Sequence, residues 1–370
     1  MAVFSDLCFR SNWWTNSEKT SKLTTCLEVD MFGFQGLTET AEISLGVVKR
    51  LNDATQAITK LNESLRLAPE RVREGWIERA VLAEAVSSAR LSGDYVIPED
   101  LRLVAFDAYD GPISNEMSRT ADLLPFLRVA SRRSPRQMFT PLRLVAMTRL
   151  RLKAKSGTGF QTSWISTGQR EQRDFDDIRY GLEEVFSPEN VSRWKSIPPL
   201  MAAAEILYLW NTSGCDEMIS PEAGRVLASA WLARSGLTEK AWVMISTGFH
   251  EDVFSFSPGP DSRWHRKFAR GVELGCLGTY ALLNRLEAAH RAFEEVDFSM
   301  RSSSNLPRVV DLLFKRIAVT TSTASTELGI SSRACASILE RLLHDGPKIK
   351  ERPVVQELTG RSSFRVYGIV

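Results

Sequence analysis

Residues 321–344 read TSTASTELGISSRACASILERLLH, and the stretch divides at Gly329-Ile330-Ser331. Before that point Thr321-Ser322 offers a cap and Thr323 to Leu328 is long enough for a short helix. After it, Ser332 to His344 carries apolar residues at the spacing of a longer helix. A glycine in the left-handed conformation ends one helix and redirects the chain into the next. A short helix, a tight turn containing Gly and a longer helix is the spacing of a helix-turn-helix, whose second helix can enter the major groove of DNA. Ala324, Leu328, Ile330, Ala334, Ile338 and Leu342 are expected to hold the two helices together. The outward side is then left to Ser332, Arg333 and Ser337, with Ala336, Glu340 and Arg341 beside them. Arg333 opens the helix, where a guanidinium can pair with guanine through two hydrogen bonds.

Upstream, Leu306 to Ala318 places Val309, Val310, Leu312, Leu313 and Ile317 on a helical stripe, with Pro307 at a favourable first-turn position. Downstream of Gly346-Pro347 the apolar period changes to two. Val354 and Gln356 alternate, Thr359-Gly360-Arg361-Ser362 forms a turn, and Phe364, Val366 and Gly368 alternate against Arg365 and Tyr367. The expectation for residues 306–370 is a winged helix-turn-helix that binds double-stranded DNA, its C-terminal β-hairpin bringing Arg361 and Arg365 to the phosphate backbone or minor groove. Charge is distributed accordingly: residues 307–370 carry 10 Lys or Arg against 6 Asp or Glu, the rest of the chain 37 against 39.

The remainder reads as mainly α. Residues 1–35 are an irregular leader without a period. A helical region spans 36–155, with one helix from Glu42 to about Leu67 and another from Arg71 to Leu91 on the stripe Trp76, Ile77, Ala80, Val81, Ala83 and Val86. Pro98 closes the following turn; Leu101 to Tyr109, Leu123 to Val129 and Pro141 to Lys155 follow as helices, the last ending in the basic run Arg149, Arg151, Lys153 and Lys155. A polar loop with three glycines and Trp164 occupies 156–172. A central helical region spans 173–301, interrupted at Ser255 to Asp261, and strand signals are almost absent before residue 350.

Composition excludes several classes. With 43% apolar and 25% charged residues in 370, the chain is neither disordered nor fibrous. Its cysteines, Cys8, Cys26, Cys215, Cys276 and Cys335, form no CxxC pair and fit reduced thiols in the cytoplasm. His250, His265, His290 and His344 have no partner at metal-ligand spacing, so neither a metal nor another cofactor is implied. The first thirty residues hold no continuous apolar run, and the longest such stretch, Leu200 to Trp210, is about half the ~20 residues that span a bilayer, so no membrane association is expected.

The tail, with Leu358-Thr359-Gly360-Arg361 and Arg365-Val366-Tyr367, resembles the C-terminal winged helix of bacterial regulators, especially the version appended to many Fic-family proteins. Ser88-Ala89-Arg90-Leu91-Ser92-Gly93 is similar to the inhibitory segment of that family, with Ser92 where the family has Glu. Pro198 through Gly224-Arg225 to Leu237 is similar in layout to the family's active-site loop and flanking helices. In the family a histidine in that loop acts as general base and a glycine-rich stretch cradles nucleotide phosphates. Here only Gly224-Arg225 matches the motif, and Asn211 to Pro221 contains no His. The resemblance implies a degenerate Fic-like body without a catalytic residue, Gly224 and Arg225 being either the vestige of a phosphate loop or a helix-start glycine and a solvated arginine. The chain also looks like uncharacterised helix-turn-helix proteins of rhizobia and their plasmids, a likeness that implies no particular activity. The expected function is a bacterial transcriptional regulator whose body dimerises or holds a protein partner. Nucleotidyl transfer through an unaligned motif and an antitoxin-like interaction module stand as alternatives.

Overall fold

The computed structural model describes residues 44–109, 111–133, 180–249, 260–296, 305–360 and 365–369. The expected leader, the helix at 141–155 with its basic run, and the loop at 156–172 lie outside the described residues.

Two long helices frame the body. α1 (Leu45–Leu67) buries Val47, Ala54, Ile58, Leu61 and Leu65, and α2 (Glu70–Leu91) follows after Pro69, which cannot continue α1. α3 (Pro98–Val104), α4 (Asn115–Ala121) and α5 (Leu123–Arg132) come next. The sequence reading differs here in two places. Pro98 opens α3 at its first turn instead of closing the loop before it, and α4 was not expected. α4 is capped by Ser114, whose hydroxyl accepts from the Met117 N–H at 3.2 Å. After the undescribed stretch come α6 (Pro188–Ser196), α7 (Pro199–Thr212), α8 (Cys215–Met218) and α9 (Pro221–Arg234). The last helix of the body, α10 (Ser262–Glu295), has 34 residues. It runs beside α1 in the same direction, with Gly46 near Arg266, Arg50 3.7 Å from Glu273 and Lys60 over the Tyr280 ring.

Between α9 and α10 the chain was expected to remain helical from Glu239, but it does not. Ala241 to Ser246 are buried in an irregular strap that ends in a 3-10 turn, Ser246–Gly248. A buried irregular backbone must find partners outside itself. Here they are side chains. Asn62 Oδ1 accepts from the N–H groups of Glu239, Lys240 and Ala241 at 2.8, 2.9 and 3.3 Å, Ser229 donates to the Val243 carbonyl, and Glu84 Oε1 accepts from the Ser246 N–H at 3.0 Å and its hydroxyl at 2.6 Å.

α2 is the hub of the body, and its buried polar residues each hold one neighbour. Glu78 receives Arg128 and Arg132 of α5 at 2.8 and 2.5 Å, and Glu84 holds the strap. Arg79 reaches the C-terminal segment, donating to the Phe314 carbonyl at 2.9 Å and the Ile369 carbonyl at 3.5 Å. Burial lowers the Arg79 pKa to about 10, so the guanidinium stays charged at neutral pH.

The C-terminal segment comprises α11 (Leu306–Lys315), β1 (Val319–Thr320), α12 (Thr321–Leu328), α13 (Ser332–Asp345), β2 (Lys348–Ile349), β3 (Arg352–Pro353), β4 (Val355–Glu357) and β5 (Val366–Ile369). β5 is the middle strand of an antiparallel sheet in the order β1-β5-β4, pairing Val319 with Tyr367 and Gln356 with Gly368; β2 and β3 form a separate hairpin. The reading correctly places a small antiparallel sheet at the C-terminus of a mainly helical chain, but it missed β1. It also expected β5 to alternate in burial, whereas all four of its residues are buried. Tyr367 and Ile369 join the main core, and Val366 joins a second cluster with Phe106, Ala108, Ile317 and Ala318. All described residues belong to one unit, Ser44–Val370, and α11 shows why. Gly75 of α2 lies so close to α11 that an added Cβ would stand 2.5 Å from the Phe314 carbonyl. Phe314 itself packs edge-on against His290 and Phe293 of α10.

Candidate nucleic-acid interface

Thr320 ends β1 and begins α12. Its hydroxyl accepts from the Thr323 N–H and the Thr323 hydroxyl accepts from the Thr320 N–H, both at 3.0 Å, a reciprocal capping box one residue earlier than the Thr321-Ser322 cap expected. α12 ends where Gly329 takes φ 65°, and the Gly329 and Ile330 N–H groups return to the Ser325 carbonyl. Ser331 then caps α13, accepting from the Ala334 N–H at 3.2 Å. Arg308 of α11 donates to the Leu328 carbonyl at 2.8 Å, tying the first helix to the turn between the other two.

The inward stripe of α13 is Cys335, Leu339 and Leu342, with Ile338 half-buried. Ala334, expected in the helix–helix contact, is exposed; the small apolar thiol of Cys335 takes that place one residue later. On the other side Ser332, Arg333, Ser337, Glu340 and Arg341 are all exposed, and Ala336 is half-buried. Arg333, Ser337, Glu340 and Arg341 share one face because steps of three and four residues return to the same side of a helix. Ser332 sits to one side, where its hydroxyl donates to Ser325 of α12 at 3.3 Å. The Arg333 side chain forms no hydrogen bond or ion pair with any described residue.

The sheet reaches the same face. Arg365, at the start of β5, is exposed and lies 3.2 Å from Glu340 of α13. Glu357, at the end of β4, receives the N–H groups of Thr359 and Gly360 at 2.9 and 3.0 Å and the Thr359 hydroxyl, and so fixes the turn that leads away from β4. Burial opposes ionisation of that carboxyl, but the hydrogen bonds from Thr359 and Gly360 outweigh it and hold its pKa below the ordinary 4.5. Arg361 lies outside the described residues. The exposed face of α13 therefore brings together four of the six expected contact residues, Arg333, Ser337 and Arg341 with Arg365 beside them, while Ser332 lies to one side.

The sequence reading missed a second basic feature. The hairpin β2–β3 turns on Lys350 and Glu351, both at positive φ (49° and 67°), and exposes Lys348, Lys350 and Arg352. Two-residue turns of this kind normally carry Asn-Gly or Gly, so the sequence has no turn signal there. The alternation of basic residues at 348, 350 and 352 between two prolines was the available clue.

The other candidate site does not assemble. Gly224 and Arg225 lie inside α9 and not in a loop. Gly224 is a close-approach position, since a Cβ there would stand 2.5 Å from the Trp210 ring of α7. Arg225 is 4% exposed and 3.6 Å from Glu222, so it is a buried ion and not a solvated arginine. Ser88 to Gly93 forms the last turn and end of α2, with the Ser88 hydroxyl 2.9 Å from Ser246 of the strap.

Among the described residues no helix is long and apolar enough to cross a membrane. No protein-family model matches the chain, and no curated protein matches it in sequence.

Proposed function

We propose that the C-terminal segment is a winged helix-turn-helix and that the protein is a DNA-binding transcriptional regulator, α13 entering the major groove and the β4–β5 hairpin following the backbone. One observation carries this reading: Arg333, Ser337 and Arg341 form an exposed stripe on a capped helix whose other face is fixed by Cys335, Leu339 and Leu342, with Arg365 of the sheet beside it. The order helix, strand, two helices, then an antiparallel hairpin supports it further. Arg333 has a helix-start position from which base edges are within reach, whereas Arg365, held by Glu340, is suited to phosphates. The helical body serves as the scaffold. The burial of Arg225 and the helical state of Gly224 favour that role over nucleotidyl transfer, which requires an open phosphate loop.

The test uses the full chain, because α11 and β5 share the core of the body and a truncation would expose it. A preferred duplex is selected from a random library, and affinities for it and for a scrambled duplex are measured by fluorescence anisotropy across a salt series. Arg333→Ala is expected to cost about 1–3 kcal/mol on the preferred duplex and to relax preference at one position, with an unchanged thermal melt. Failure to select any duplex, or an unchanged preferred-to-scrambled ratio in Arg333→Ala, would sink this reading.

A further inference from the structure

A groove opens where the body meets the C-terminal segment, and neither the DNA-reading face nor the fold alone accounts for its chemistry. It has a volume of about 570 Å³, within the few hundred to a thousand typical of small-molecule sites. Leu65, Trp76 and Ile77 supply an apolar floor. Arg73, Arg132, Lys240 and Lys315 supply cations from four different places: α2, α5, the residue before the strap and the end of α11. The lining has one carboxylate, Glu74, which lies 3.1 Å from Lys315. Arg132 leans on Glu78 and Lys240 on Glu239, so both are partly neutralised. Arg73 is different: it donates to the Ala68 carbonyl at the end of α1 and has no carboxylate partner among the described residues.

We infer that this groove binds a small organic anion with two negative charges and a flat apolar portion, a phosphomonoester or a dicarboxylate. The apolar portion would rest on Ile77 and the exposed edge of the floor, and the charges would lie between Arg73 and Lys315. Glu74 pairs with Lys315 at 3.1 Å and would be displaced by such an anion, so it works as an internal competitor. Because Lys315 ends α11, an occupant touches the helix that carries the C-terminal segment. The inference holds whether or not α13 reads DNA.

Isothermal titration of the full chain with 1-naphthyl phosphate, phthalate and neutral 1-naphthol tests it. At least one dianion should bind about tenfold or more tightly than naphthol, and which one does so separates phosphate from carboxylate chemistry. The double variant Arg73→Gln, Lys315→Gln should weaken that binding by about tenfold or more. Glu74→Gln, at a side chain 44% exposed, should fold normally and tighten it several-fold, which a merely structural role for Glu74 would not do. Naphthol binding as well as both dianions, or dianion affinity unmoved in the double variant, would overturn the inference.

Discussion

α9 and α13 are both helices of 14 residues, each capped by a serine, Ser220 or Ser331, that accepts a backbone N–H in the first turn, and each carries an arginine near its start. Their surroundings are opposite. α9 is buried along an unbroken run from Glu222 to Leu232, whereas α13 buries only Cys335, Leu339 and Leu342. A helix covered on every side can hold an arginine only as an internal ion, and Arg225 sits against Glu222 at 3.6 Å with its Nε and Nη2 lacking hydrogen bonds to the described residues. A helix covered on one side leaves its arginine facing solvent, as Arg333 does. A local motif such as Gly-Arg therefore carries no function by itself; how many faces of its helix are covered decides between structure and recognition.

The contrast can be broken by one substitution in each helix. Arg225→Ala removes the cation that lies 3.6 Å from the buried Glu222 carboxylate, and losing one member of a buried pair typically removes about 3–5 kcal/mol. Arg333→Ala, at an exposed site without a partner among the described residues, should stay within about 0.5 kcal/mol of the parent. Urea unfolding followed by circular dichroism measures both. Equal stability losses would show that the two arginines are not structurally different.

A smaller effect is expected from pH, and it probes the polar interior around α9. Burial, more than any other influence, raises the Glu84 pKa above its ordinary 4.5, with Ser246 and Arg225 opposing. Stability associated with a raised carboxyl pKa is fully present below the unfolded value and is lost as pH rises toward the folded value. Glu84→Gln removes that loss while keeping an acceptor for Ser246. The stability of the variant relative to the parent should therefore increase as pH is raised from about 4 to 7. A pH-independent difference would mean that Glu84 titrates alike in the folded and unfolded chain, so that burial does not raise its pKa.

The two regions also differ in how much of them could be read in advance. The three C-terminal helices were legible because their signals are local: Gly329 marks the turn, serine and threonine mark the starts, and Cys335, Leu339 and Leu342 recur at helical spacing. The error at Ala334 came from not treating cysteine as an apolar residue. The segment at 239–246 was illegible because its backbone is satisfied by Asn62 and Glu84, more than a hundred and fifty residues away. The burial of Arg225 was hidden for the same reason, since it depends on the packing of α9 against α7. β1 is only two residues long and exists by pairing with β5 across 46 residues of chain. The Lys350-Glu351 turn lacks the glycine that its positive φ angles favour.

The smallest expected effect sharpens the description of α13 itself. Glu340 is the one carboxylate on the stripe of Arg333, Ser337 and Arg341, and in the free protein it pairs with Arg365 at 3.2 Å. A carboxylate there repels phosphate and occupies the arginine that would otherwise meet it. Both side chains are well exposed, 56% for Glu340 and 41% for Arg365, so solvent screens the pair and folding depends little on it. Glu340→Gln should accordingly melt close to the parent. Its effect should fall on DNA: with Arg365 released, binding to preferred and scrambled duplexes should strengthen by the same few-fold factor, and the dependence of log K on log salt should steepen by about one unit. Equal gains on both duplexes distinguish a phosphate contact from base reading, which Arg333 is expected to perform. If Glu340→Gln tightens only the preferred duplex, Arg365 lies on base edges and the division of labour between α13 and the sheet is wrong; if neither affinity nor slope moves, Arg365 does not face the duplex.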